Sequence, residues 1–375
     1  MKILITNLFI ANFSGTETVV ELLADALSRA GHTPMIFAPT LGPQGKQMQA
    51  RGYIVVDRLA SLPQRPDVMH LQHVTPALMA LAAFPGVPAV FTCHSATFEI
   101  EAPRPHQQIR QYVAVDDSCR ARALERDIPE NRLSVILNAV DLTHFPARPA
   151  LPPKPKAALM LTKTWEQQDL VRAACAKGGL PLDELGPTTR ETSDQLGSLL
   201  PRYDIVFATA RMALEAATVG CAVVVVDGRG FAGMLRSENL QAWRRLNFGA
   251  GLLTAPVTSA ALEAAIAAYD AADATRISAR LRTDVSSDDY AAAYLELYAQ
   301  AIAEGVAADA SLSTAAWLED LLPSAAPRAW LDVAGETGLL DGLDLLLGRH
   351  RATRVRAWLN SLPYPIRARL RRLRK

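Results

Sequence analysis

The sequence predicts an α/β chain of two doubly wound parallel-sheet domains facing a cleft, followed by a helical C-terminal extension. Three observations point to it. Short β-rich runs alternate with helical patterns from the first residue, as in a parallel sheet covered by helices on both faces. The run PARPALPPKPK at 146–156 holds five prolines in eleven residues, which stiffens the chain, forbids regular helix or central strand and reads as an interdomain linker. The alternation then resumes, and 375 residues are more than one hydrophobic core usually organises.

In chain order, the first domain (1–145) opens with ILIT at 3–6, a helix over Thr16–Ala30, MIFA at 35–38 and a helix near 43–51. Further strands are expected at 67–71 (DVMHL), 88–93 (PAVFTC), 112–115 (YVAV) and 133–137 (LSVIL). The second domain (157–304) begins with AALML at 157–161, a helix near 165–177, a short element around 180–185 and a helix near 191–200. DIVFA at 204–208, a helix over 210–219 and AVVVVD at 222–227 follow. The continuous apolar run of that last segment suits a parallel strand buried on both faces. From Ser259 to Glu304 the pattern is helical and alanine-rich, an extension over 305–348 is helical again, and a basic tail occupies 349–375.

Composition fits a globular protein: 50% of residues are hydrophobic and 21% charged, which argues against general disorder. The net charge of +1 conceals an asymmetry, because 349–375 holds nine Arg, one Lys and no acid, leaving about −9 elsewhere. The four cysteines, Cys93, Cys119, Cys175 and Cys221, are far apart in sequence and read as buried free thiols. MKILITN lacks the long apolar core and cleavage site of a signal peptide, and no apolar stretch approaches the ~20 residues of a membrane span. The expectation is a cytoplasmic protein.

Three features carry candidate chemistry. In NLFIANFSGTET, Ser14 and Gly15 directly precede an amphipathic helix, where free N–H groups and a partial positive charge suit a phosphate and glycine permits close approach. The plain alternative is a strand–helix turn capped by Ser14 or Thr16. His70, His73 and His94 fall at or just past strand ends, the edge where such sheets bind ligands. Each alone reads as structural, their recurrence on one edge argues for a site, and no carboxylate or thiol spacing supports a metal there. In YDIVFATARMALEAATVGCAVVVVDGRG, Thr209, Ala210 and Arg211 fall where a helix begins, offering N–H groups and a guanidinium to a diphosphate. Glu215 interrupts the apolar flanks Leu214, Ala216 and Ala217. A carboxylate there can accept both hydroxyls of a ribose; the alternative is a surface glutamate.

These pieces resemble the family 4 (group 1) retaining glycosyltransferases of the GT-B fold, built of two Rossmann-like domains. Four segments carry the resemblance: SGTETVVELLADALSRAGHTPMIF, DVMHLQH with AVFTCHS, RLSVILNAVDLTHF, and ALEAATVGCAVVVVD. It implies a nucleotide-sugar donor held by the second domain, an acceptor held by the first, and transfer in the cleft with no required metal or cofactor. It maps the family's catalytic strand-end histidine onto His94, its ribose-binding glutamate onto Glu215 and its first loop, which approaches the donor phosphates or the acceptor, onto Gly15. Donor binding is assigned to Glu215, Arg211, Thr209, Ala210, Lys163 and Gly15.

The departures are specific. The first acid of the family's E-x7-E pattern falls on Phe207, and its glycine-rich turn reads Ala208, Thr209, Ala210. The arginine and lysine of the first loop in the second domain have Lys163 as their nearest match. The function implied is transfer of a sugar to a glycan or lipid-linked acceptor, in cell-envelope polysaccharide synthesis. A catalytically silent scaffold on the same fold and a sugar-nucleotide epimerase remain the alternatives. In the tail, arginines interleave with Trp358, Leu359, Leu362, Tyr364 and Ile366, a mix that can lie on an anionic membrane surface at its inner face. The alternative is a solvated or docked terminus; no recognition module for nucleic acid accompanies the charge.

Overall fold

The computed structural model describes residues 1–11, 15–161, 164–186, 196–306 and 310–321. Lys163, Ser14 and the basic tail 349–375 therefore lie outside the described residues, as does most of the expected extension. Met1–Thr314 forms one compact unit; from Ala315 onward the chain forms another, of which only the remainder of one helix is described.

The first lobe is built from β1 (Lys2–Thr6), α1 (Gly15–Arg29), β2 (Thr33–Phe37), α2 (Pro43–Ala50), β3 (Ile54–Val56), β4 (Val68–Leu71), α3 (Val74–Ala83), β5 (Ala89–Cys93), β6 (Ile109–Ala114), α4 (Asp117–Glu125) and β7 (Leu133–Val135). Its strands pair in parallel in the order β3-β2-β1-β4-β5-β6-β7. The order reverses between β1 and β4, so the loops leaving these strands diverge and open a crevice at their carboxyl ends. β1, β4 and β5 are almost wholly buried, which is why they read as apolar runs rather than alternating strands.

The second lobe contains β8 (Ala158–Leu161), α5 (Gln168–Lys177), β9 (Leu182–Leu185), β10 (Ile205–Ala208), α6 (Ala210–Val219), β11 (Ala222–Asp227), β12 (Gly230–Met234), α7 (Leu240–Arg245), α8 (Ser259–Ala267) and α9 (Ala271–Leu281). The strand order is β9-β8-β10-β11-β12, and its switch point lies between β8 and β10. Four strands are parallel, but β12 returns antiparallel to β11. The second sheet is parallel as expected except for this added edge strand, which the chain reaches through a tight reversal at 228–229. All four cysteines are free and buried.

Two boundaries differ from the sequence reading. The proline-rich 146–156 segment is not a free span but is fastened to the second lobe. Arg148 pairs with the buried Asp204 at 2.9 Å, the Lys156 N–H donates to the same carboxylate at 2.7 Å, and the Tyr269 hydroxyl donates to the Pro152 carbonyl at 2.8 Å. The second domain also does not extend to 304. Helix α10 (Ser287–Glu304) crosses back and packs on α1, β4, β5 and β6, placing Tyr290, Tyr294, Leu297, Tyr298 and Ala301 in the first lobe's core. Three buried tyrosines, each worth about 2 kcal/mol of apolar burial, explain the choice of partner. Helical periodicity shows that such a face exists but not where it docks. Helix α11 (Ser311–Leu321) follows.

Candidate functional site

At the carboxyl edge of the first sheet, hydrogen bonds tie three strand-end loops together. The Thr6 hydroxyl donates to the Gln72 carbonyl at 3.0 Å, joining the ends of β1 and β4. The Leu8 N–H donates to His73 Nδ1 at 3.3 Å, so the ring proton sits on Nε2, which faces Glu101 Oε1 at 3.5 Å. Glu101 Oε2 accepts the His94 N–H at 3.1 Å. Burial alone would push the Glu101 carboxyl up, but its bonds to His73 and His94 outweigh that and hold it below its ordinary value. His73, ahead of α3, takes φ 59°, a strained conformation for a residue with a Cβ.

The three histidines separate into different roles. His70 is packed inside: its Nδ1 lies 2.6 Å from the Tyr298 hydroxyl and its ring meets Tyr294 edge-on at 4.8 Å. Burial pushes it down to about 3, with a smaller contribution from His94. His70 is a neutral core residue, and His73 is a buried structural link. His94 is partly exposed, yet its Nε2 is covered and has no hydrogen-bond partner among the described residues. Burial brings its ring down to about 4, against an opposing pull from Glu101. The loop beyond it is braced by Arg122, whose guanidinium donates to the Ser95 and Phe98 carbonyls at 3.1 and 3.0 Å and to Glu99 at 2.9 Å. Gly15 opens α1 and is exposed, with space for a Cβ among the described residues.

In the second lobe, the turn from β10 into α6 is a single residue, Thr209. This explains the missing acid. Phe207 lies inside β10 with its side chain in the apolar core beside Met160 and Val224, so no ligand-facing loop exists there to carry a carboxylate. Ala210 is likewise corrected: its N–H donates to the Phe248 carbonyl at 2.6 Å and is not free for a phosphate. The Thr209 hydroxyl, rather than capping the helix, donates to Asp227 Oδ2 at 3.1 Å. Arg211 and Glu215 are brought together one turn apart, Nε to Oε1 at 2.6 Å, both largely buried. Arg211 Nη1 is buried with no hydrogen-bond partner among the described residues.

A row of tyrosines connects the two halves. Burial pushes Tyr290 up to about 12, with the charge of Arg211 pulling the other way. Tyr290 meets the Tyr294 ring at 5.0 Å, and the Tyr294 hydroxyl lies 3.2 Å from Thr92, the residue two before His94. A second bridge comes from the segment after α7. Asn247 Oδ1 accepts the Asn138 N–H at 3.2 Å, its amide donates to the Val115 carbonyl, and Arg244 donates to the Asn138 carbonyl at 2.5 Å. Burial draws Arg244 down to about 10, with Asp284 opposing.

Sequence reasoning missed Glu101, Asp227, Arg229, Arg244 and Asn247. Only Asp227 and Arg229 had a legible signal, a charged pair ending the apolar run CAVVVV in a DGRG turn.

Residues 13–144 match the family model described as Glycosyltransferase Family 4. No curated protein matches the chain in sequence. Among solved structures, Anabaena HepE in complex with UDP and glucose is 14% identical with a TM-score of 0.58, covering 80% of this chain and 99% of that one. HepE in complex with UDP-glucose gives 14% identity and a TM-score of 0.55, over 79% and 99% of the two chains. The UDP-GlcNAc 2-epimerase of Neisseria meningitidis, at 12% identity over 80% and 100% of the chains, has a TM-score of 0.46, too low to bear on function. At such identity the likeness to HepE is one of fold. Over residues 13–144 the first lobe is therefore similar to the glycosyltransferase family 4 domain, and the chain has a two-lobed fold of the GT-B kind.

Proposed function

We propose that the chain is a retaining glycosyltransferase that moves a sugar from a nucleotide-sugar donor to a glycan or lipid-linked acceptor in cell-envelope polysaccharide synthesis. The observation that carries this reading is the Arg211–Glu215 pair. A buried guanidinium with an unsatisfied N–H, in the first turn of a helix beyond a strand's carboxyl end, is arranged to meet an anion. Glu215 beside it serves the ribose. Thr209 and Lys163 flank the donor, Gly15 approaches it from the first lobe, and His94 meets the transferred sugar through its unpartnered Nε2.

The chain's own groups then position the reactants and stabilise the departing diphosphate, with no protein nucleophile and no metal. Residues 349–375 contact the inner face of the membrane through arginines and apolar side chains, bringing a lipid-linked acceptor near. The test is incubation with UDP-, GDP- and ADP-sugars, reading nucleotide release and the anomeric configuration of the product. HepE, solved with UDP, makes UDP-sugars the first choice. Absence of release and of calorimetric binding with every donor would sink the reading.

A further inference from the structure

We propose that Arg229, held in place by Asp227, grips the donor diphosphate in place of the basic residues expected on the loop after β8. The proposal rests on the donor-site reading above and adds a residue to it. The sequence 162–167 contains no arginine, but its described part, from Thr164 on, folds directly onto the turn that carries one. The Gly228 N–H donates to Thr164 Oγ1 at 2.8 Å, and a Cβ at position 228 would overlap both the Thr164 hydroxyl and the Glu166 carboxylate. A glycine leaves room for this approach without displacing either side chain, and the approach brings the turn carrying Arg229 to the loop after β8.

Asp227 fixes the guanidinium there. Its Oδ1 accepts the Arg229 N–H at 2.8 Å and Nε at 3.1 Å, and its Oδ2 accepts Nη2 at 2.5 Å. The fork is thus engaged through Nε and Nη2, leaving Nη1 without a partner among the described residues, on a side chain 56% exposed. Asp227 Oδ2 also accepts the Thr209 hydroxyl, so Arg229 is anchored to the residue that starts α6. Arg211, in the first turn of that helix, repeats the arrangement: a carboxylate holds Nε while Nη1 stays unpartnered. Two guanidinium groups, each set by a carboxylate and both following strand ends of one sheet, offer charge-assisted donors, which suit the two phosphates of a nucleoside diphosphate better than one. The exposed Glu166 carboxylate beside the turn opposes an anion and must swing away as the donor enters.

Calorimetry with UDP, GDP and ADP, each against its monophosphate, tests this on the full chain. The native protein should prefer the diphosphate of the nucleoside it binds. Arg229→Ala should weaken the diphosphate by about tenfold to a hundredfold, with the monophosphate within about twofold. Arg229→Lys should recover part of the loss, and Glu166→Gln should tighten the diphosphate. An unchanged diphosphate preference in Arg229→Ala, or equal loss of both ligands, overturns the assignment while leaving the donor site standing. Failure of the native chain to bind any of the three diphosphates overturns the donor reading itself, and this assignment with it.

Discussion

The Phe248 carbonyl accepts the Ala210 N–H at 2.6 Å, and both residues adopt left-handed backbone, φ 53° in each. Asn247, just before, is left-handed as well at φ 47°. Such conformations are costly for residues with a Cβ and persist where surrounding structure enforces them. Here the strain gathers where the start of α6 meets the segment that reaches across to the first lobe. The helix that carries Arg211 and Glu215 is thereby set by the same element that spans the cleft.

Ala210→Gly tests where the strain lies. Removing the Cβ relieves a left-handed residue, at a cost of roughly 1–2 kcal/mol, and is partly offset by the freedom glycine gains in the unfolded chain. The expected net effect is a gain of up to about 1 kcal/mol in denaturant unfolding, with the Phe248 bond retained. A loss of stability would show that the conformation costs little at this position.

Asn247→Ala removes the amide that joins the lobes and leaves the Asn138 N–H and the Val115 carbonyl without their partner, along with one donor of the buried Arg244. Orphaning buried polar groups costs about 1–3 kcal/mol each, so the variant should lose roughly 2–4 kcal/mol. Its radius of gyration in small-angle scattering should rise as the lobes part. A variant as stable and compact as the native chain would place the link elsewhere.

Much of this fold was legible because parallel strands buried on both faces leave continuous apolar runs, as ILIT and AVVVVD do. Strand Ile54–Val56 and helix α3 escaped because they are short or apolar on most sides, so no single period stands out. The docking of α10 was illegible for another reason: its tyrosines show a buried face but not which lobe buries it. At the site, His94, Arg211 and Glu215 were readable as polar residues at strand ends or in an apolar helix. Glu101, Asn247 and Arg244 were not, since their importance lies in partners distant in sequence. Phe207 shows how register misleads. Counting back from Glu215 places an acid there only if a loop intervenes, and the chain makes the turn with Thr209 alone.

Acid sensitivity should begin with the histidines whose rings are held neutral by burial. Burial brings His70 down to about 3 and His94 to about 4, and His106 likewise to about 4, whereas in the unfolded chain a histidine titrates near 6.5. Between those values the unfolded chain binds protons that the folded chain refuses. The stability is therefore whole above about pH 6.5 and is lost as pH falls toward the folded values, by up to about 1.4 kcal/mol per pH unit for each group. Glu101, also held below its ordinary 4.5, acts in the same direction but only below that value, as its interactions with His73 and His94 are lost on protonation. His70→Gln separates the contributions, because glutamine can still bond the Tyr298 hydroxyl but takes up no proton. Urea unfolding at half-unit steps from pH 7 to pH 5 should show a slope shallower by about one proton in the variant than in the native chain. An identical slope would mean that the ring beneath the site is not the group that resists protonation.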